Sequence, residues 1–155
     1  VYEENGRCEA AEVAALCLAN LYNSGGHRKI TPDEYETIKK YLQKFPESMH
    51  IRAAFIIASE AIYSPSAEYK RVPDKIINKA KQWSEQYPKK IEFQEAYFGL
   101  LFSRLKYAQA QDMRNEQRRV YREMKTVAER ANYSEYNESN QLMESVDILH
   151  RVFGY

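Results

Sequence analysis

Apolar residues recur along this chain every three or four positions. Tyr35, Ile38, Tyr41, Leu42 and Phe45 form one series, and Ile76, Ile77, Ala80, Trp83 and Tyr87 a second. Val120, Tyr121, Met124, Val127, Ala128 and Ala131 form a third. That spacing puts each set on one face of a helix. No stretch holds the period-2 alternation of a strand for more than a few residues. The pattern predicts an all-α chain of about seven helices in alternating order. More apolar first members run over about 9–23, 48–63, 90–109 and 137–152, and more polar second members over about 32–45, 73–87 and 114–131.

Punctuation supports these limits. Thr31-Pro32-Asp33-Glu34 is a helix start, with a capping hydroxyl, a proline whose missing N–H costs nothing in the first turn, and acids at the positive end of the dipole. Val72-Pro73-Asp74 repeats the opening without the hydroxyl. Ser24-Gly25-Gly26 ends the first helix with residues able to adopt a left-handed cap. Ser64-Pro65-Ser66 ends the third helix and opens the longest loop, up to Arg71. Ala108 to Asn115 holds no firm breaker and reads as a loop or as a tight turn between two long helices.

Three punctuation points align: Lys44-Phe45-Pro46-Glu47, Gln86-Tyr87-Pro88-Lys89 and Asn132-Tyr133-Ser134-Glu135, spaced 42 and then 46 residues apart. Small–large pairs recur in the middle of the first helices, Ala15-Leu16, Ala54-Phe55 and Ala96-Tyr97. Such pairs let two helices approach closely and interlock. The fourth copy, around Gln141-Leu142-Met143, lacks the small residue. Together with the aromatic-Pro endings and the stripes on the second helices, this resembles the tetratricopeptide-repeat class of helical-hairpin solenoids over roughly residues 9–152. The repeats would span about 9–46, 47–88 and 89–134, with a partial copy at 135–155, in a single repeat domain over 1–155. The chain departs from the family in its period of 39 to 46 residues, where about 34 is usual. The only Trp, Trp83, lies in a second helix, and the third repeat lacks its Pro. Longer helical-hairpin families therefore stay open. The resemblance implies an α-solenoid of antiparallel helix pairs in a right-handed superhelix, whose first helices line a concave face that holds a peptide or another protein.

Composition narrows the functional classes. Gly and Pro number only 5 each in 155 residues, too few for the turns of a β-sandwich or for phosphate-cradling loops. The formal net charge of +1 gives no long-range field toward nucleic acid or an anionic membrane. No apolar run approaches a membrane span, and Val1 to Ala10 lacks the layout of a signal peptide. The expectation is a soluble, cytoplasmic protein. Starting at Val1, it reads as a fragment of something longer. Cys8 and Cys17, on one helix and so ~13 Å apart, are expected to be reduced thiols, with Cys17 in the core.

No constellation points to catalysis. His27, His50 and His150 are far apart in sequence, no cysteine completes a ligand spacing, and no nucleophile-elbow, phosphate-loop or zinc-protease motif occurs. The expectation is a non-enzyme with no metal and no cofactor. Arg114, Arg118 and Arg122 form a basic stripe at i, i+4 and i+8, able to clamp carboxylates or phosphates or to stand as a solvated face beside Glu116, Glu123 and Glu129. Most of the 13 tyrosines should be inter-helix packing. Polar or aromatic positions of the first helices away from the small–large seam, namely Asn20, Arg52, Ser59, Gln94, Phe98 and Arg104, are the candidates for the ligand-facing groove. The last helix carries Leu142, Val146, Leu149, Val152 and Phe153 without a following partner, so it either caps the stack or further repeats follow. The leading reading is a protein-binding or peptide-binding scaffold. The alternatives are a helical sensor segment of a larger nucleoside-triphosphatase or other enzyme, and nucleic-acid binding through the Arg-rich helix.

Overall fold

In the computed structural model, residues 2–23, 30–63, 70–134 and 140–155 are described, residues 2–7 and 20–23 through their backbone alone. Among the described residues there are seven helices and no strand: α1 Tyr2–Asn23, α2 Pro32–Lys44, α3 Met49–Tyr63, α4 Asp74–Gln86, α5 Ile91–Ala110, α6 Arg114–Ala131 and α7 Gln141–Phe153. The all-α expectation is met. The limits differ mainly at α1, which begins at Tyr2, and at α7, which begins at Gln141 behind an Asn140 cap that accepts from the Met143 N–H. The expected glycine cap at 25 and 26 and the Ser64-Pro65-Ser66 ending lie outside the described residues. The chain divides into two compact units, Val1–Ile62 and Tyr63–Tyr155.

In the first unit, α2 opens with a reciprocal capping box. The Thr31 hydroxyl accepts from the Glu34 N–H, and the Glu34 carboxylate accepts from the Thr31 N–H, both at 3.2 Å, satisfying two otherwise orphaned donors. The buried Tyr35 ring stacks on Phe55 of α3 at 5.8 Å. The Ser59 hydroxyl gives its one proton to the Phe55 carbonyl at 2.7 Å, so Tyr35 is the donor in its own 2.7 Å bond to Ser59. From α1 come Ala11, Ala15 and Ala19, all buried, a small-residue stripe at four-residue spacing. Cys17 is exposed, contrary to its expected place in the core. It stands two residues from each of two buried alanines, about 200° round the helix.

In the second unit, α5 is the central element. Phe93, Ala96, Tyr97, Leu100, Leu101, Leu105 and Ala108 are all buried, each large side chain contributing about 1.5–3 kcal/mol. Ile77, Ala80 and Trp83 of α4, Val120, Met124 and Val127 of α6, and Val146 and Leu149 of α7 supply the remaining core. At the end of α5, Arg104 meets Asp74 in the first turn of α4 and Glu116 in the first turn of α6. At its start, Gln94 meets Ser84 near the end of α4, and Arg130 near the end of α6 reaches the same serine. Pro73 is the residue before α4 rather than its first, with no side-chain cap.

The aromatic-Pro signal encodes one local structure twice. Phe45 and Tyr87 close their helices at φ −128°, ψ 66° and φ −119°, ψ 61°. Their N–H groups donate to Tyr41 and Trp83, each at 2.8 Å, and their carbonyls accept from Ser48 at 3.2 Å and Lys90 at 3.1 Å. Six residues after each proline, a buried side chain returns to these turns. Arg52 Nε donates to the Pro46 carbonyl at 2.7 Å, and Gln94 Nε2 donates to the carbonyls of Tyr87 at 3.1 Å and Ser84 at 3.0 Å. The third point differs. Asn132 stays helical, Tyr133 is 83% exposed, and Ser134 instead donates to the Pro88 carbonyl at 3.1 Å.

The tight turn between α5 and α6 turns on Asp112, at φ +53°. Its N–H donates to the Gln109 carbonyl at 3.1 Å, and the Met113 N–H donates to the Ala108 carbonyl at 2.8 Å. This is the paired closure of a helix end in which glycine usually holds the left-handed position. Asp112→Gly should therefore raise stability by about 0.5–1 kcal/mol in urea unfolding, and an unchanged or lower midpoint would show that Asp112 carries no strain. Gln94→Ala should cost about 2–4 kcal/mol by the same measurement, because it opens a void and takes from the buried Ser84 both the donor to its carbonyl and the acceptor of its hydroxyl.

Candidate binding cleft

A cleft of about 610 Å³ opens over α5 between α4 and α6. Tyr97, Leu101 and Arg104 form its floor. Asp74, Ile77, Asn78 and Lys81 wall one side and Glu116, Arg119, Val120 and Glu123 the other, each set at the three- or four-residue spacing that keeps one helix face toward the opening. Arg71, Tyr107 and Met113 join them at the end where α4 and α6 begin.

A five-membered ion cluster organises that end. The Arg104 side chain, only 7% exposed, donates to Asp74 and lies 3.5 Å from Glu116 through Nε. Arg119 grips Glu116 with two donors, at 2.7 and 2.9 Å, and Arg71 stands 3.5 Å from Asp74. The hydrogen bond from Arg104, reinforced by the charges of Arg104, Arg71 and Arg119, holds the Asp74 carboxyl below the usual carboxylate range. The bond from Arg119, with the charges of the same three guanidiniums, does so for Glu116. Both carboxylates therefore feel all three arginines. Further along the floor, burial, followed by the negative charge of Glu123, pushes the Tyr97 phenol far above its ordinary range. Tyr97 stays protonated and donates to Glu123 at 2.9 Å. These groups are fixed donors and acceptors, suited to holding a polar ligand.

Of the residues expected to face a ligand, Arg104 alone lines the cleft. Arg52, Ser59 and Gln94 are buried because they satisfy neighbouring turns and hydroxyls, and Phe98 is buried as part of the apolar core. The Asn20 side chain lies outside the described residues. The cleft walls come from α4 and α6, the second-member helices, and not from the first members. Asp74 and Glu116 were legible in the sequence only as acids in the first turns of their helices. Arg114, Arg118 and Arg122 are exposed. Arg114 stands 3.6 Å from Asp112, and Arg114 and Arg118 border a smaller cavity of about 420 Å³ with Gln109, Gln117 and Tyr155. There the Tyr155 hydroxyl accepts from Gln109 at 3.0 Å and donates to Gln117 at 2.8 Å. On α7, Val146 and Leu149 point inward, whereas Val152 and Phe153, expected in the same seam, are exposed together with Ile148. His50 and His150 are exposed, and His27 lies outside the described residues. Among the described residues, no three His, Cys, Asp or Glu side chains are grouped as a metal ion would need.

Depressed carboxyl values make the cluster's contribution to stability complete above the ordinary carboxyl values near about 4 and progressively lost as pH falls through the lowered folded values. In a ¹³C-detected titration, Asp74 and Glu116 should both have midpoints below those of free carboxyls. Arg104→Gln should raise Asp74 most, since Glu116 keeps Arg119; an unmoved Asp74 midpoint would show that Arg104 does not hold it.

Compared with known proteins, the chain matches no family model, no curated protein and no solved structure.

Proposed function

We propose that this chain is a non-enzymatic protein-binding or peptide-binding scaffold whose two units are built of tetratricopeptide-like antiparallel helical hairpins, and that a partner segment lies in the cleft over α5. The recurring aromatic-Pro turn supports the repeat reading. So does the second unit, where the end of α5 meets the starts of α4 and α6 and the start of α5 meets the end of α4. The observation that carries the binding reading is the cleft itself. Five of its charged side chains, Arg71, Asp74, Arg104, Glu116 and Arg119, are held by one another, so a ligand meets a surface already largely arranged and loses less in ordering it. Paired charges on two walls give register and selectivity more than raw affinity. The cytoplasm is the proposed setting, in keeping with two free thiols.

Affinity purification with the intact protein, followed by mass spectrometry, compares the wild type with a cleft-filling variant, Asn78→Trp with Lys81→Glu, and with Arg114→Ala/Arg118→Ala/Arg122→Ala. Partners should be lost from the first variant and kept by the second. Recovery of nucleic acid alone, dependent on the three arginines and falling steeply with salt, would overturn the proposal.

A further inference from the structure

The charges around the cleft do not cancel. Arg71, Arg104 and Arg119 face Asp74 and Glu116, and because both acids are held ionised, the cluster keeps one positive charge in excess. Donors are in excess as well. A guanidinium has five N–H groups and a carboxylate accepts at about four sites, so three of the former exceed what two of the latter can take up. Arg119 binds Glu116 through Nε and one terminal nitrogen, which leaves the other terminal nitrogen outside that pair. Arg71 meets Asp74 only at 3.5 Å and is 57% exposed. Arg104 is fixed beneath them, 7% exposed. At the other end of the cleft, Lys81 and Glu123 balance each other in charge.

From this we infer that the cleft selects a peptide segment carrying one acidic side chain, whose carboxylate lies between Arg71 and Arg119 above Arg104. One carboxylate neutralises the excess, whereas a phosphate dianion would overshoot it beside two acids already in place. A Lys or Arg at that point of the ligand would add to the excess. The inference rests on the cleft being the binding surface and adds to it the chemistry of the ligand.

The probes are short acetylated and amidated peptides of Ala, Ser and Tyr with a single central Glu, Gln or Lys, together with the Gln peptide bearing a free C-terminal acid, titrated into isotope-labelled protein and followed by amide chemical shifts. The Glu peptide should shift cleft residues and bind about tenfold or more tightly than the Gln peptide, the yield of a charge-assisted bond. The Lys peptide should be weaker still. Arg71→Ala and Arg119→Ala should each remove that preference while leaving the helical circular dichroism intact, and Arg118→Ala should leave it unchanged. Equal binding of Glu and Gln peptides in the cleft would overturn the acidic selectivity and leave the cleft reading standing. Absence of cleft shifts with every probe would overturn both. Binding only by a Gln peptide with a free C-terminal acid would overturn the side-chain assignment in favour of a terminal carboxylate.

Discussion

The structure depends most on what happens to the backbone carbonyls where a helix ends and the chain turns back. The last carbonyls of a helix have no partner within it, and at the Phe45-Pro46 and Tyr87-Pro88 turns several are partly or wholly withdrawn from water, where an unmet acceptor costs free energy, about 1–3 kcal/mol when fully buried. Both turns solve this alike. An aromatic residue closes the helix through its own N–H, its carbonyl accepts from three residues on, and a buried donor on the next helix, Arg52 or Gln94, returns to the turn. In the second unit the solution extends further. Gln94 also binds Ser84, and Ser84 accepts from Arg130 at 2.5 Å, so a single polar contact set joins α4, α5 and α6 at one end. The Arg104 cluster joins them at the other.

Much of this was legible in the sequence wherever the signal was local. Periodicity located the seven helices, and the Thr31 capping box and the paired aromatic-Pro turns took the form their residue types imply. Two of the small–large pairs, Ala54-Phe55 and Ala96-Tyr97, lie in the core, whereas in the first Ala15 is buried and Leu16 only half-buried. What was not legible is long-range or depends on unusual backbone. A polar residue on a first helix reads as ligand-facing until it is known that a carbonyl from the preceding turn reaches it, as happens to Gln94 and Arg52. The Ala108–Asn115 segment lacked a breaker because Asp112 does the work of a glycine. The cleft itself needed three helices to be placed side by side, and its acids, Asp74 and Glu116, look in sequence like ordinary first-turn residues.

Arg104 shows why burial and function need not be opposed. A buried guanidinium without acids would be costly, and with them it is a fixed base under Arg71 and Arg119. The same ion pairs that hold α4 and α6 against α5 therefore set the charge pattern of the cleft, and the surface available to a partner follows from how the helix ends are tied.

The turn ties also bear on how such a chain can change over generations. In each, the acceptor is a main-chain carbonyl, which is the same whatever residue bears it, and only the donor is written in the side chains. Arg52 reaches the carbonyl of Pro46 itself, whereas Gln94 reaches those of Tyr87 and Ser84, so one position past the proline serves different carbonyls of the turn. Such a turn can thus tolerate wide change in its own residues, provided that the position six residues past the proline keeps a side-chain N–H long enough to reach back.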